Sequence, residues 1–398
     1  MPTAAPAHAS NMVQSAPTSV DLVVADATWF STEHLFAALE RPGIETLLLK
    51  CLDYRNALAR GWSPWTWRRP THARSARLWE RELILPSGWM KSFPGIGMRP
   101  IAATIREWRR ERAGKFVLVI TYPHYLYLRD MVQPDQTVYF NIDDYAQYWP
   151  SRAKRVLELE RQAVRESDLT VCVSQVRAAQ LRAMASSAAS RIRYLPHGCP
   201  DWALAGRESS DRGAPPLDLS VIPGPHLGYV GSLEDRVDWN LLTQLAQRIP
   251  NASLVLVGKV LRDGDEVWHD ERRRCLALPN VRVLGWKPQD ELLAYIQAFD
   301  VCLIPYRMDH AFNRVCNPTK IMDYMGSGRP IVATALPECQ AHAARFDVAE
   351  TAQAFVESVR SLLAKGGDDG RSGLRLAFAR QHSCGRVAER LMDWLSSA

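Results

Sequence analysis

From Val20 onward, short apolar runs alternate with longer stretches in which apolar residues recur every three or four positions. That alternation predicts strands of a parallel sheet connected by covering helices, an α/β class of fold. Strands are expected at Val20–Ala25, 46–49, 116–120, 137–142, 169–173 and 191–195. Helices are expected over 32–40, where Leu35, Phe36 and Leu39 share one face, over 152–166, and from 175 onward. The helix over 152–166 carries charges of both signs and so keeps one side in water. At 207–225 the pattern breaks into Ser, Asp, Gly and Pro, the composition of a linker. A second series follows, with strands at His226–Val230, Ser253–Val257, 281–284, Val301–Ile304 and Ile331–Thr334. Its helices are expected over 238–248 and 289–298, and three more, near Ala352–Ala364, 371–380 and 386–395, end the chain.

The pattern divides the chain into a disordered leader over 1–19, a Rossmann-like domain over 20–205, a linker over 206–225 and a second Rossmann-like domain over 226–380. The helix over 381–398 is expected to brace the first domain. Two such domains face one another across a cleft between the carboxyl ends of their sheets, where ligands of open α/β folds bind. The length of 398 residues is long for one core and suits two.

Composition changes the picture in two places. No apolar run approaches the roughly 20 residues needed to cross a bilayer. The leader, rich in Ala, Pro and Ser, lacks the basic and apolar regions of a signal peptide. The eight cysteines are scattered without CxxC pairs, which points away from zinc and disulfides and towards a reducing cytoplasm. The net charge is only +6, but between Arg55 and Arg112 arginine interleaves with Trp62, Trp65, Trp67, Trp79, Trp89 and Trp108. Amphipathic rings beside cations suit the anionic inner face of a membrane, reached peripherally. No nucleic-acid motif accompanies the patch, so nucleic acid is not expected as a partner.

The chemistry concentrates in Asn317-Pro318-Thr319-Lys320-Ile321-Met322-Asp323, which leads into Gly326-Ser327-Gly328-Arg329-Pro330-Ile331-Val332. Asn317 reads as a helix cap and Pro318 as the first helical residue. Gly326 or Gly328 ends the helix, and Pro330 prevents its continuation. Lys320 in the first turn faces the positive end of the helix dipole, an arrangement unfavourable by roughly 0.3–1 kcal/mol. An anion at the helix mouth reverses that penalty. Asp323, one turn on, is spaced to accept hydrogen bonds from hydroxyls just beyond the anion. A phosphate followed by a sugar ring describes a nucleotide-sugar.

This stretch, with Gly228-Tyr229-Val230-Gly231-Ser232 and Leu254-Val255-Leu256-Val257-Gly258 before it, resembles bacterial glycosyltransferases of the GT-B fold. The likeness is strongest to the large retaining group called family four, or group 1, and to its relatives in surface-polysaccharide assembly. Asp143-Asp144, the 168–174 strand and Leu195-Pro196-His197-Gly198 resemble landmarks of the first domain. The resemblance implies a nucleotide-sugar donor in the second domain and a saccharide or lipid-linked saccharide acceptor in the first, without metal or cofactor. It implies donor contacts from Gly231, Ser232, Asn317, Thr319, Lys320 and Asp323. Lys320 and Arg236 would meet the diphosphate, where leaving-group charge develops.

The chain departs from the family pattern at two positions. The cation that family members carry five residues after Arg236 is Leu241 here, and the first of two glutamates separated by seven residues is Val315. Asn313, Asn317 or backbone within 309–317 would then hold the donor sugar. On the acceptor side adjacent strand residues point to opposite faces, so only one of Asp143 and Asp144 can face the cleft, and Asp144 is favoured as orienting group or general base. Asp143, His34 and His124 are the other acceptor-side candidates, and His197 suits the donor pocket. Two other readings fit the same residues: a nucleotide-sugar epimerase on this fold, and an inactive partner that binds a nucleotide-sugar without turning it over.

Overall fold

The computed structural model describes residues 19–59, 70–92, 94–204, 214–260 and 266–397. In the first domain the strands are β1 (Val20–Ala25), β2 (Ile44–Asp53), β3 (His72–Ala73), β4 (Leu78–Leu85), β5 (Lys115–Ile120), β6 (Gln136–Asn141), β7 (Leu169–Cys172) and β8 (Ile192–Tyr194). They form one sheet in the order β3-β4-β2-β1-β5-β6-β7-β8, parallel except for β3 at the edge. The middle strands are apolar without alternation because helices cover both faces. Leu22, Val24, Leu48 and Val119 are all fully buried.

The second sheet holds β9 (His226–Val230), β10 (Ser253–Val257), β11 (Val281–Gly285), β12 (Val301–Ile304), β13 (Ile331–Thr334) and β14 (Asp347–Ala349). Its order is β11-β10-β9-β12-β13-β14, all parallel. Gly228 in β9 is required there, since a Cβ would fall 1.9 Å from the Phe299 ring. A second apolar core surrounds this sheet and takes in Cys199 and Ala203. Leu195 still belongs to the first core, and the chain joins the second from Cys199 onward. The last helix, Cys384–Ser397, sends Val387, Leu391 and Leu395 into the first core.

Among the strands, β3, β4 and β14 fall outside the sequence reading. The strand β4 lies within the Trp/Arg-rich section, and its alternating burial follows Leu78, Glu80, Leu83 and Leu85. Much of that section's charge is engaged internally. Arg74 pairs with Glu33 and with Glu80 at 3.1 Å, Arg77 pairs with Glu45 at 2.9 Å, and Arg109 pairs with Asp21. The Arg112 guanidinium lies over Trp79 and Trp108, 4.5 and 4.2 Å from their centroids. Trp62, Trp65 and Trp67 lie outside the described residues. Among the described residues, no helix is long and apolar enough to cross a membrane.

Candidate active site

The helix of the 317–334 stretch is Lys320–Ser327, starting two residues later than the sequence suggests, and Gly328 ends it at φ +71°. Asn317 does not cap it. Its side-chain amide instead donates to the Val173 carbonyl of the first domain at 2.8 Å. The reason is proximity: Asn317 is buried against the end of β7, where that carbonyl needs a donor.

Lys320 reaches back over β9. Its Nζ donates to the Tyr306 hydroxyl at 2.6 Å and stands 5.1 and 4.9 Å from the ring centres of Tyr229 and Tyr306. Gly231 makes room for it. Gly231 has φ +147°, and a Cβ there would lie 2.8 Å from Nζ. The Gly231 amide donates to the Val257 carbonyl at 2.9 Å, and Gly258 lies so close that its own Cβ would meet the Gly231 oxygen at 1.9 Å. Two glycines just past β9 and β10 thus let the two turns and the Lys320 ammonium pack closely.

A cleft of about 330 Å³ lies at this point, between the two domains. Gly231, Ser232, Thr319, Lys320 and Asp323 line it from the second domain, and His34 and His197 from the first. Burial pushes the Asp323 carboxyl up to about 7, with Lys320 acting in the opposite sense. Burial also pushes His34 below its ordinary range and His197 down to about 4, although the Asn317 backbone bonded to His197 opposes this. Both imidazoles are therefore neutral at pH 7, hydrogen-bonding groups rather than cations.

Arg236 lies deeper. Its guanidinium bonds Glu234 at 2.7 Å and covers the Phe312 ring at 4.9 Å. Its turn is held by Asn313, whose amide donates to the Arg236 and Arg307 carbonyls, both at 2.9 Å. Opposite stands Asp143, which accepts a hydrogen bond from the Tyr148 hydroxyl at 2.6 Å. Burial pushes the Asp143 carboxyl up to about 6, while Tyr148 and then Arg236 pull it down. The Tyr148 ring meets Phe312 of the other domain at 5.5 Å. Asp143, Tyr148, Phe312 and Arg236 so form one contiguous group across the domain boundary.

Asp144 faces away from that group. It caps the next helix by accepting from the Ala146 amide, bonds Gln147 at 2.8 Å and lies 3.6 Å from Arg177. Arg177 is ion-paired to the buried Glu160, which also accepts from Tyr139 and Asn141. His124 is buried edge-on to Trp149 at 5.3 Å and lines neither the cleft nor the pocket beside it. Burial pushes its imidazole down to about 4.

Sequence reasoning missed Tyr148, Trp29, Phe30 and Trp286. The last three are exposed at 44%, 58% and 66% and line the cleft. Trp29 and Phe30 follow the end of β1, and Trp286 directly follows Gly285 at the end of β11. An exposed aromatic just past a strand end is a usable signal for a ligand face.

Residues 224–365 match the family model described as glycosyl transferases group 1. Over 289 residues, 69% of this chain and 70% of the relative, the sequence is 21% identical to TuaH of Bacillus subtilis (strain 168), named for teichuronic acid biosynthesis as a glycosyltransferase. The fold is similar to that of sucrose-phosphate synthase from Thermosynechococcus elongatus, with TM-score 0.69, 15% identity and coverage of 95% of this chain and 98% of that one. It is likewise similar to Anabaena HepE in complex with UDP, with TM-score 0.67, 16% identity and coverage of 96% and 100%. HepE has also been solved with UDP-glucose.

Proposed function

We propose, for a chain that is a group 1 glycosyltransferase with the GT-B fold, that it moves a sugar from a nucleoside-diphosphate sugar to a saccharide acceptor of a surface polysaccharide. The observation that carries the donor assignment is the Gly231–Lys320–Asp323 arrangement. Lys320, at the positive end of its helix, offers positive charge to a diphosphate. Asp323, one turn further along the same cleft wall, offers a carboxylate to ribose hydroxyls, and Trp286 offers a face to a base. Arg236 is near enough to Asp143 for their charges to interact, so it supplies a second cation towards the bond being broken. With those cations the leaving diphosphate is stabilised without a divalent metal, and activity is expected to survive EDTA.

The nucleotide named with HepE, UDP, is the first probe. UDP and UDP-sugars are expected to raise the melting temperature, because a ligand at about 100 times its Kd adds roughly 2.7 kcal/mol to stability. Lys320→Ala should abolish that rise. If no nucleotide stabilises the protein, the donor assignment falls.

The acceptor is proposed to be lipid-linked and met at an anionic membrane. Support comes from Trp62, Trp65 and Trp67 interleaved with Arg60, Arg68 and Arg69 in the sequence and from exposed Leu58 and Ile96 in the same region, whereas Trp89 and Trp108 are buried. Flotation with anionic liposomes tests this. Binding should be lost when Trp62, Trp65 and Trp67 become Ala, and a protein that stays with the pellet fraction sinks the idea.

A further inference from the structure

Beside the donor cleft the first domain holds a second pocket, of about 610 Å³, at the carboxyl ends of β1, β2 and β4. Its aromatic residues are Trp29, Trp89, Tyr122 and Trp149. Trp29 also lines the donor cleft and forms the wall between the two spaces. Its indole N–H donates to the Tyr122 hydroxyl at 2.7 Å, which fixes that wall. Tyr122 lies 6.5 Å from Trp149, and Trp149 lies 6.4 Å from Tyr148, the residue bonded to Asp143. A row of rings therefore runs from the pocket to the group that faces Arg236.

The pocket also contains Asp26, which is 4% exposed. Its two oxygens are used unequally. Oδ1 accepts from the Thr28 amide at 3.0 Å, the Thr28 hydroxyl and the Cys51 amide at 3.2 Å. Oδ2 accepts from Tyr125 at 3.2 Å and has lone-pair capacity for another donor. Burial pushes this carboxyl up to about 6, so it is mostly ionised at neutral pH. At the mouth Asp53 and Arg55 are opposite in sign.

We propose that this pocket is the acceptor subsite and that the ring it takes is a neutral pyranose, not a uronic acid. Aromatic faces match the C–H faces of a pyranose, and a carboxylate oxygen with room for a donor matches its hydroxyls. A carboxylate on the incoming ring would meet the Asp26 charge in a poorly hydrated space, where like charges repel strongly. This rests on the glycosyltransferase reading above and names the acceptor end of it.

Saturation-transfer NMR on the full chain tests it at neutral pH, with methyl glucoside, methyl N-acetylglucosaminide and methyl glucuronide as probes. The neutral glycosides should show transfer concentrated on one ring face at millimolar concentration, and the glucuronide about tenfold less. Trp149→Ala should remove the signal and Trp149→Phe should keep most of it, which separates loss of the ring from loss of the fold. Asp26→Asn, checked for folding by circular dichroism, should narrow the difference between neutral and acidic probes. Preferred glucuronide binding overturns the proposal. So does transfer that Trp149→Ala leaves unchanged, and so does silence from every neutral probe up to about 20 mM. UDP-induced stabilisation is read separately, so a pocket that takes no glycoside in a protein that binds UDP defeats this inference alone.

Discussion

The Asn317 side-chain amide donates to the Val173 carbonyl at 2.8 Å, and that bond joins the donor-binding segment of one domain to a strand end of the other. Close by, the buried Glu338 accepts from the Gln175 amide, so one turn of the first domain is held by two residues of the second. Asn317→Ala leaves the Val173 carbonyl buried without its donor and is expected to lower stability by about 1–3 kcal/mol. Affinity for UDP should change little. Chemical denaturation with a nucleotide titration checks both, and a fall in affinity at unchanged stability would return Asn317 to the donor sugar.

Among the described residues, Lys320 has one oxygen partner, Tyr306, and two rings beneath it. Lys320→Ala is expected to reduce turnover at least tenfold, about 1.4 kcal/mol of transition-state stabilisation, in a protein that remains folded. Tyr306→Phe keeps the ring and the ammonium, and should reduce turnover less. Steady-state kinetics on the pair decides whether the charge or its hydrogen bond matters more.

The fold was legible because each domain repeats apolar strands and periodic helices that tolerate little ambiguity. The motif around Lys320 was legible because a first-turn lysine conflicts with the helix dipole and needs a reason. What escaped depended on long-range pairing. Asn317 looks like a cap from its neighbours, and only the approach of Val173, 144 positions earlier in the chain, redirects it. Asp143 and Asp144 lie past the end of β6, in the turn before the next helix, so strand alternation does not decide which of them faces inward. The Arg177–Glu160 ion pair draws Asp144 to its own side and leaves Asp143 opposite Arg236. Likewise β4 hid in a section whose arginines look solvated until Glu33, Glu45 and Glu80 are found beside them.

Asp323 should show a conflict between stability and function. Its folded-state carboxyl is pushed from 3.8 up to about 7, so the folded protein holds a proton that the unfolded chain releases. Stability therefore falls as pH rises from about 4 to about 7 and is level above that range. Asp323→Asn removes the penalty and is expected to be more stable by about 1–3 kcal/mol at pH 8, with the gain shrinking towards pH 4. The same change should weaken nucleotide binding. Melting curves across pH, with and without UDP, check the sign, and a gain that grows on acidification refutes it.

Asp143, with Tyr148 bonded to it and Arg236 opposite, is the group best placed to take the proton from an acceptor hydroxyl. Its carboxyl titrates near 6, so kcat/KM is expected to fall as pH drops through about 6. Tyr148→Phe removes a hydrogen bond that holds the carboxyl down, and Arg236→Gln removes a positive charge that does the same. Each should move the acid limb to higher pH, whereas a purely structural role for Tyr148 would lower activity at all pH values alike. Asp143→Asn should abolish the limb and reduce the rate by about 100-fold or more, the scale of general-base catalysis. Asp144→Ala should act differently, removing a helix cap worth about 1 kcal/mol of stability and, because the Asp144 charge raises Asp143, moving the limb to slightly lower pH without abolishing it. A pH–rate profile of the four variants distinguishes the neighbours, and a limb that follows Asp144 instead of Asp143 would reverse their roles.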